Sequence, residues 1–380
     1  MKNKKKFLGI IGLLAIMVTV LLTGCPDPGN GQTELEADPV PFSAVAVAAG
    51  SNKSIAIRSD GSLWEWGAAT NTNNTTPVRI GTDNNWSKIA AGSTHFLAIK
   101  TDGSLWAWGE NDHGQLGDGT TINRSTPVRI GTANNWSIIA AGTNHSLAIR
   151  NSGTLWAWGN NHDGQLGIGN TNDSNEPVQV GSETNWIAIA GGGDHSLGLR
   201  GTGTSGTLWS WGYNHDGQLG SGNTTSRNAP GQVGTDSWVS IAAGYYHSLG
   251  VRNNGALYAW GDNVYGQLGD NTSVAKNAPT QIGVITTWSA VSAGSNSIGS
   301  YAIRSNGTIW GWGHSSAQTG TVPSQVSTDT NWTFISAGMD HRLALKADNS
   351  VWGWGQNYYG AVGDDTNTNR STPVRVVYYE

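Results

Sequence analysis

Short apolar stretches recur along the chain, each bounded by Gly, Pro, Asn or Asp. One unit shows them in order: Pro127-Val-Arg-Ile before Gly131, then Trp136 to Ala141, His145 to Arg150 and Leu155-Trp-Ala-Trp158. Runs this short, with turn residues at both ends, predict strands. No long stretch carries helical apolar periodicity. Asn151-Ser-Gly153 joins two of these runs, and Ser59-Asp-Gly61, Thr101-Asp-Gly103 and Asn253-Asn-Gly255 match it elsewhere. Asn, Asp and Gly tolerate positive φ, so these are hairpin turns.

The unit repeats. A Trp-x-Trp-Gly motif ends at Gly67, Gly109, Gly159, Gly212, Gly261, Gly313 and Gly355. A small-Gly pair precedes each, ending at Gly50, Gly92, Gly142, Gly192, Gly244, Gly294 and Gly338. Trp86, Trp136, Trp186, Trp238, Trp288 and Trp332 each lie six residues before one of these. With Tyr258 replacing one indole of the motif, these positions account for all 19 Trp. Four antiparallel strands per unit, seven times, predict an all-β, seven-bladed β-propeller. The indoles are its cement, because a small blade must bury both faces against its neighbours. With the Pro-Val strand read as the first of each unit, unit one begins one strand short at Ala44–Ala49. Pro373-Val-Arg-Val376 is then the strand that completes the first blade and closes the ring, leaving no open edge.

Composition fits a turn-rich folded chain: 54 Gly, 11 Pro, and only 12% charged residues, against about 25% in ordinary domains. Lys2, Lys4, Lys5 and Lys6 precede an apolar run, Phe7 to Leu22, that ends in Leu22-Thr23-Gly24-Cys25. This resembles a bacterial lipoprotein signal, with residues 1–24 removed and Cys25 lipidated. The run is shorter than the ~20 residues a transmembrane helix needs, and Cys25 is the single cysteine. Removing residues 1–24 takes four Lys and no acid from 21 Lys+Arg against 26 Asp+Glu, leaving −9 in place of −5. No basic patch remains for nucleic acid. Residues 25–41 read as a lipidated Cys and flexible tether, and 42–380 as the propeller. The expected location is the cell envelope, facing periplasm or exterior and held to the membrane by lipid alone, as a monomer.

Ala141-Gly-Thr-Asn-His-Ser-Leu-Ala-Ile-Arg150, Leu155-Trp-Ala-Trp-Gly159 and Asn161-His-Asp-Gly-Gln-Leu-Gly167 together resemble the regulator of chromosome condensation repeat. The likeness spans residues 44–376. Units one and six depart from it, carrying Ala68–Thr76 and His314–Val322 in place of the Asn-x-x-Gly-Gln-Leu-Gly loop. WD repeats would need a Trp-Asp dipeptide, which is absent, and kelch repeats more Gly-Gly doublets. The resemblance implies the propeller fold. The family includes an exchange factor for a small nuclear GTPase and a secreted bacterial propeller that covers β-lactamase active sites with loop residues. Fold does not carry function across such a family.

His95, His145, His195, His247 and His341 share one repeat position, which marks them as turn-to-strand hydrogen-bonding residues; catalysis needs an asymmetric set. Gly201-Thr-Gly-Thr-Ser-Gly206 fits a dinucleotide-binding string, but a strand follows where a helix is required, so it reads as an expanded hairpin turn. Residues that break the repeat are more informative. In the Asn-x-x-Gly loops these are Asp112, His113, His162, Asp163, His215, Asp216, Val264, Tyr265, Tyr358 and Tyr359. In the Ala-Gly-x-x-His turns they include Asp194, Tyr245, Tyr246, Met339 and Asp340. Alternating strand direction puts loops and turns at one end of the ring, a partner-binding rim with His and Asp in units two to four and Tyr, Val and Met in units five and seven. No close His pair is visible for a divalent metal, and no cofactor or catalytic residue is assigned. The expected function is a membrane-anchored, non-enzymatic propeller presenting this rim to a protein or envelope component. Guanine-nucleotide exchange, or hydrolase or lyase action on envelope glycans, are the alternatives. Glu65 and Glu110, each standing alone, do not supply the acid–base pair the last would need.

Overall fold

The computed structural model describes residues 38–68, 73–315 and 318–380. The signal segment, Cys25 and the tether as far as residue 37 lie outside them. Among the described residues there is no helix. Seven four-stranded antiparallel blades form, with first strands beginning at Ala46, Trp86, Trp136, Trp186, Trp238, Trp288 and Trp332. Blade three consists of Trp136–Ala141, His145–Arg150, Leu155–Gly159 and Ser174–Val180. First strands of neighbouring blades touch around the ring, so they line the axis, and the half-exposed Pro-containing strands form the outside.

The phase differs from the sequence reading. The strand after each long loop pairs back onto its own Trp-x-Trp strand: Arg124–Arg129 pairs with Leu105–Gly109 of blade two, not with blade three. The Pro-Val strand is therefore the fourth of each blade, and Arg370–Arg375 completes blade seven. Closure falls just beyond it. Val377–Tyr378 pairs with Val40–Pro41 and neighbours Asn74–Ile80 of blade one. Phe42 lies between, its N–H donating to Val376 O and its carbonyl accepting from Val351 N. Val40 and Pro41, placed in the tether by composition, thus belong to the ordered ring.

Blades four and five share one continuous strand, Arg227–Ala243. The Gly201–Gly206 segment is the expanded hairpin its sequence predicts. Thr202 pairs with Ser205 across Gly203-Thr204, and its far arm reaches on to pair Gly206 with Trp238 of blade five.

Each of seven buried apolar clusters draws on two adjacent blades. The blades have no private cores. The second Trp of every Trp-x-Trp motif is at most 2% exposed. Burying one indole removes roughly 150–250 Å² from water, several kcal/mol at ~25 cal/mol/Å². In blades two to seven the first aromatic of the motif carries a cation instead: Lys100, Arg150, Arg200, Arg252, Arg304 and Lys346 lie 3.8–4.4 Å from its ring centroid. The strand-one Trp contacts the same cation from the other side, for example Trp86 at 4.6 Å from Lys100.

A polar latch crosses most interfaces. Gln115 O, in the loop of blade two, accepts from Ser146 Oγ at 2.7 Å and Trp158 Nε1 at 2.9 Å, both in blade three. Gln165, Gln218 and Gln267 repeat this toward blades four, five and six. Ala361 O does so from blade seven to Ser54 and Trp66 of blade one. The hairpin turns add a second latch, with Gly103 O accepting from Trp136 N at 3.1 Å. Gly103 has φ +78, and a Cβ on it would stand 2.2 Å from Asn134 O.

Among the described residues two interfaces lack the loop latch, and these are the ones whose donor loops depart from the repeat. Between blades one and two, Phe96 occupies the Ser position and stacks on Trp108 at 5.5 Å. Between blades six and seven, Arg342 occupies it, fully buried and 5.0 Å from the Tyr301 ring. Trp108 Nε1, Trp354 Nε1 and the Arg342 guanidinium have no hydrogen-bond partner among the described residues. We therefore expect Trp158→Phe to cost about 1 kcal/mol more than Trp108→Phe. Both shrink a buried ring, but only the first removes an indole hydrogen bond. Urea unfolding of the two variants checks this, and equal costs would refute the latch.

Candidate functional site

The rim is organised from its buried Asn residues. Asn161 Nδ2 donates to Asn170 O and Asn172 O, and its Oδ1 accepts from Leu166 N. Its backbone N–H donates to Asp173 Oδ1 at 2.7 Å. Asn111, Asn214, Asn263 and Asn357 tie their loops in the same way. This fixes each loop and turns the two residues between Asn and Gly outward. Asp112, His162, His215, Val264, Tyr265, Tyr358 and Tyr359 are exposed, and His113, Asp163 and Asp216 half-buried.

The Ala-Gly-x-x-His turns lie at the same end. Strand pairing sets His145 opposite Gly159, and Asn160 N donates to Asn144 O across the two connections. Side chains also link them: Gln165 Nε2 donates to Asp194 Oδ1 at 3.2 Å, and Tyr213 meets Tyr246 at 5.8 Å.

The rim has two chemical halves. On blades two to four, Asp194 is raised above the usual carboxylate range by burial and then by nearby Asp163. Asp216 is raised by burial and by Asp262. On the other side Tyr245 and Tyr246 meet at 4.2 Å, and Tyr213 continues the patch to His215 at 4.7 Å. The Tyr245 hydrogen bond, then burial, push the Tyr246 hydroxyl upward. Tyr265 contacts His314 of blade six at 5.7 Å. Tyr358 and Tyr359 stand on blade seven, with no ring contact to that patch among the described residues. Asp340, half-buried, is in the blade seven turn beside exposed Met339.

Sequence reasoning missed four of these rim residues. Tyr213 and His314 follow the Trp-x-Trp-Gly motif, outside the positions compared. Asp173 closes a loop far along the chain from His162. Asn296 belongs to the irregular turn of blade six, and it crosses the axis. Its amide lies 3.3–3.6 Å from Ser93 Oγ, Ser51 Oγ and Met339 Sδ, in blades two, one and seven. Thr143 Oγ1 of blade three donates to Ser295 O at 2.8 Å from the opposite side. The rim end of the central channel is thereby bridged. The fold also makes the His pair the sequence did not show: His113 and His162 have ring centroids 6.4 Å apart.

The five repeated His are fully buried, and their partners are in the next blade rather than in the turn. His95 Nε2 lies 2.9 Å from Ser146 Oγ, and the other four repeat this. A buried Ser–His contact invites a nucleophile reading, but proton placement argues against it. The Ser hydroxyl has one proton and gives it to the loop carbonyl, so Oγ accepts from His Nε2–H. A general base would need the reverse. The ring also explains the invariable small-Gly pair: a Cβ on Gly142 would stand 2.1 Å from His145 Cε1.

A closed ring of seven blades, five of its junctions clamped through a loop carbonyl of the neighbouring blade, defines a repeat propeller. The sequence matches the model of the Regulator of chromosome condensation (RCC1) repeat at residues 102–149, 152–199, 205–251, 254–298 and 348–379. A second model of that repeat matches 86–115, 136–165, 186–218, 238–267 and 332–361. These matches cover more than half of the chain, which belongs to the RCC1 repeat family. Its structure is similar to human WBSCR16, at 24% identity and TM-score 0.70, covering 80% of this chain and 84% of that one. It is similar also to Prp20p from Saccharomyces cerevisiae, at 22% identity and TM-score 0.69, covering 82% of each chain. That protein is described by its binding to Gsp1p and histones. Yeast RCC1 (Prp20) in complex with Kap60 gives 21% identity and TM-score 0.69, covering 80% and 79%. At these identities the likeness establishes the fold. Among curated proteins the sequence finds no significant match.

The buried His set a pH dependence. Burial pushes His95, His195 and His341 from the ordinary 6.5 down to about 3, and His145 and His247 to about 4. Below 6.5 the unfolded chain takes protons that the folded one refuses. Stability is therefore whole above that value and lost as pH falls toward about 4, by up to ~1.4 kcal/mol per pH unit for each His. Thermal melts should fall steeply between about pH 6.5 and 4.5; a flat Tm across that range would show the His to be solvated.

Proposed function

We propose that this chain is a lipid-anchored propeller of the bacterial cell envelope that binds a protein partner through the rim, without bond-changing chemistry. The observation that carries it is the split of one fixed rim into a His/Asp half and a Tyr half, in which Tyr265, Tyr358 and Tyr359 are exposed and Tyr245 and Tyr246 half-buried. Tyr anchors are favoured at protein interfaces because they bury large area at low entropic cost, and the His/Asp half would select by charge. The binding of Gsp1p and histones ascribed to Prp20p supports the use of such propellers as protein-binding platforms. Cys25, following the basic and apolar leader, would hold the ring at a membrane surface through its lipid. Asp38 and the residues before it would give it reach.

Exchange-factor activity is the second reading, favoured by family membership. A cytosolic GTPase would be separated by the membrane from a ring displayed outside it. Nucleotide-release assays with candidate GTPases separate the two readings.

Two measurements test the proposal. Metabolic labelling with a radioactive fatty acid should mark the wild-type chain and not Cys25→Ser. Detergent-extracted full-length protein should capture a specific envelope or host protein. Joint Tyr245→Ala, Tyr246→Ala, Tyr265→Ala, Tyr358→Ala and Tyr359→Ala substitution should weaken capture at least roughly ten-fold. Undiminished capture would exclude the Tyr half as the binding surface.

A further inference from the structure

Three groups from two blades converge at the junction of blades two and three. His113 Nδ1 is 3.7 Å from Asp173 Oδ2, and His162 Nε2 is 4.0 Å from the same oxygen. The three atoms all lie within 4.8 Å of one another, and the rings are nearly perpendicular at 87°. Each group is aimed by a separate contact. Asp173 Oδ1 is occupied by Asn161 N–H, which leaves Oδ2 for the imidazoles. Asn160 Oδ1 accepts from Gln165 Nε2 at 2.6 Å and from His162 N at 3.2 Å. That fixes the amide orientation, so Asn160 Nδ2 donates to His113 Nδ1 at 3.1 Å. His113 Nδ1 therefore presents a lone pair, not a proton.

The His113 lone pair and the Asp173 carboxylate are 3.7 Å apart and repel unless a proton or a cation sits between them. Asp194 adds to the negative potential, interacting with both His113 and His162. Among the described residues the combination occurs once. Where blade three has Asp173 capping its loop, blades two, four and seven use Asn123, Ser226 and Asn369. Among the Asn-x-x-Gly loops only that of blade two has His at the second middle position.

We propose that His113, His162 and Asp173 form a divalent transition-metal site, with zinc the fitting ion. Two imidazoles and one carboxylate suit zinc and its neighbours better than calcium or magnesium, which prefer all-oxygen shells. Ligand bonds of ~2.0–2.2 Å in a tetrahedron place ligand atoms roughly 3.3–3.5 Å apart. The two His–Asp pairs need to close by about half an ångström, and the His–His pair, within 4.8 Å, by up to about 1.5 Å. His162, with 72% of its side chain exposed, has the freedom to do so. The ion would take the lone pair that Asn160 now engages, and water would fill the remaining position. The site would pin two loops of the rim together across a blade junction. It does not depend on the partner reading, and each can fail alone.

Calorimetric titration of untagged full-length protein with zinc, near neutral pH, tests this. The wild type should bind one equivalent. His113→Ala, His162→Ala and Asp173→Asn should each weaken binding at least roughly ten-fold. Asp173→Asn keeps the cap on Asn161, and thermal melts without zinc should match wild type, separating lost ligation from misfolding. His215→Ala, at the exposed equivalent of His162 in blade four, should leave binding unchanged. Absence of binding by the wild type, or equal binding by His162→Ala and Asp173→Asn, would overturn the site.

Discussion

At five of the seven blade junctions one backbone carbonyl holds this ring in register. In the loop after the Trp-x-Trp strand, the carbonyl of Gln115 and its counterparts accepts two hydrogen bonds from the next blade, one from an indole and one from a hydroxyl. That hydroxyl in turn accepts from a His of the donor blade. A carbonyl has two lone pairs and both are used, so buried polar groups that would otherwise destabilise the interface become its alignment device. The rest follows. A Gly must underlie the His ring, a buried Asn must shape the loop that delivers the carbonyl, and the indole must have its nitrogen at the correct edge.

Most of this architecture is legible in sequence because a repeated constraint repeats its residues. Trp-x-Trp-Gly, with Tyr258 for one indole, and the small-Gly pair mark every blade, the Asn-led loop marks five of them, and together they fix the blade number and the all-β class. The phase was not legible. Whether the Pro-Val strand begins one blade or ends the previous one depends on which edge it hydrogen-bonds, and both choices satisfy the same alternation. The rim was legible only as a set of positions. That loops and turns share an end follows from strand direction, but contacts such as Tyr213 with Tyr246, or His162 with Asp173, arise from how a long loop folds back. Spacing along the chain carries no record of that.

Asymmetry enters where the repeat fails. The irregular turn of blade six sends Asn296 across the axis, and Thr143 meets it from blade three. The end that carries the variable side chains is thus a bridged surface, not an open pore. A partner approaching it would meet a floor of small polar groups ringed by tyrosines on one side and by histidines and carboxylates on the other.

The two junctions without a loop carbonyl among the described residues divide the toroid unequally. Blades two to six form one arc of consecutive latches, while blades seven and one form a second, sealed to each other through Ala361, Ser54 and Trp66. Val40–Pro41 and Val377–Tyr378, paired with each other, both belong to the smaller arc. Tension applied through a tether at the amino terminus would reach that two-blade segment first, and its boundaries are the natural tear lines. The five-blade crescent, stiffened by the strand shared between blades four and five, would be the part left standing.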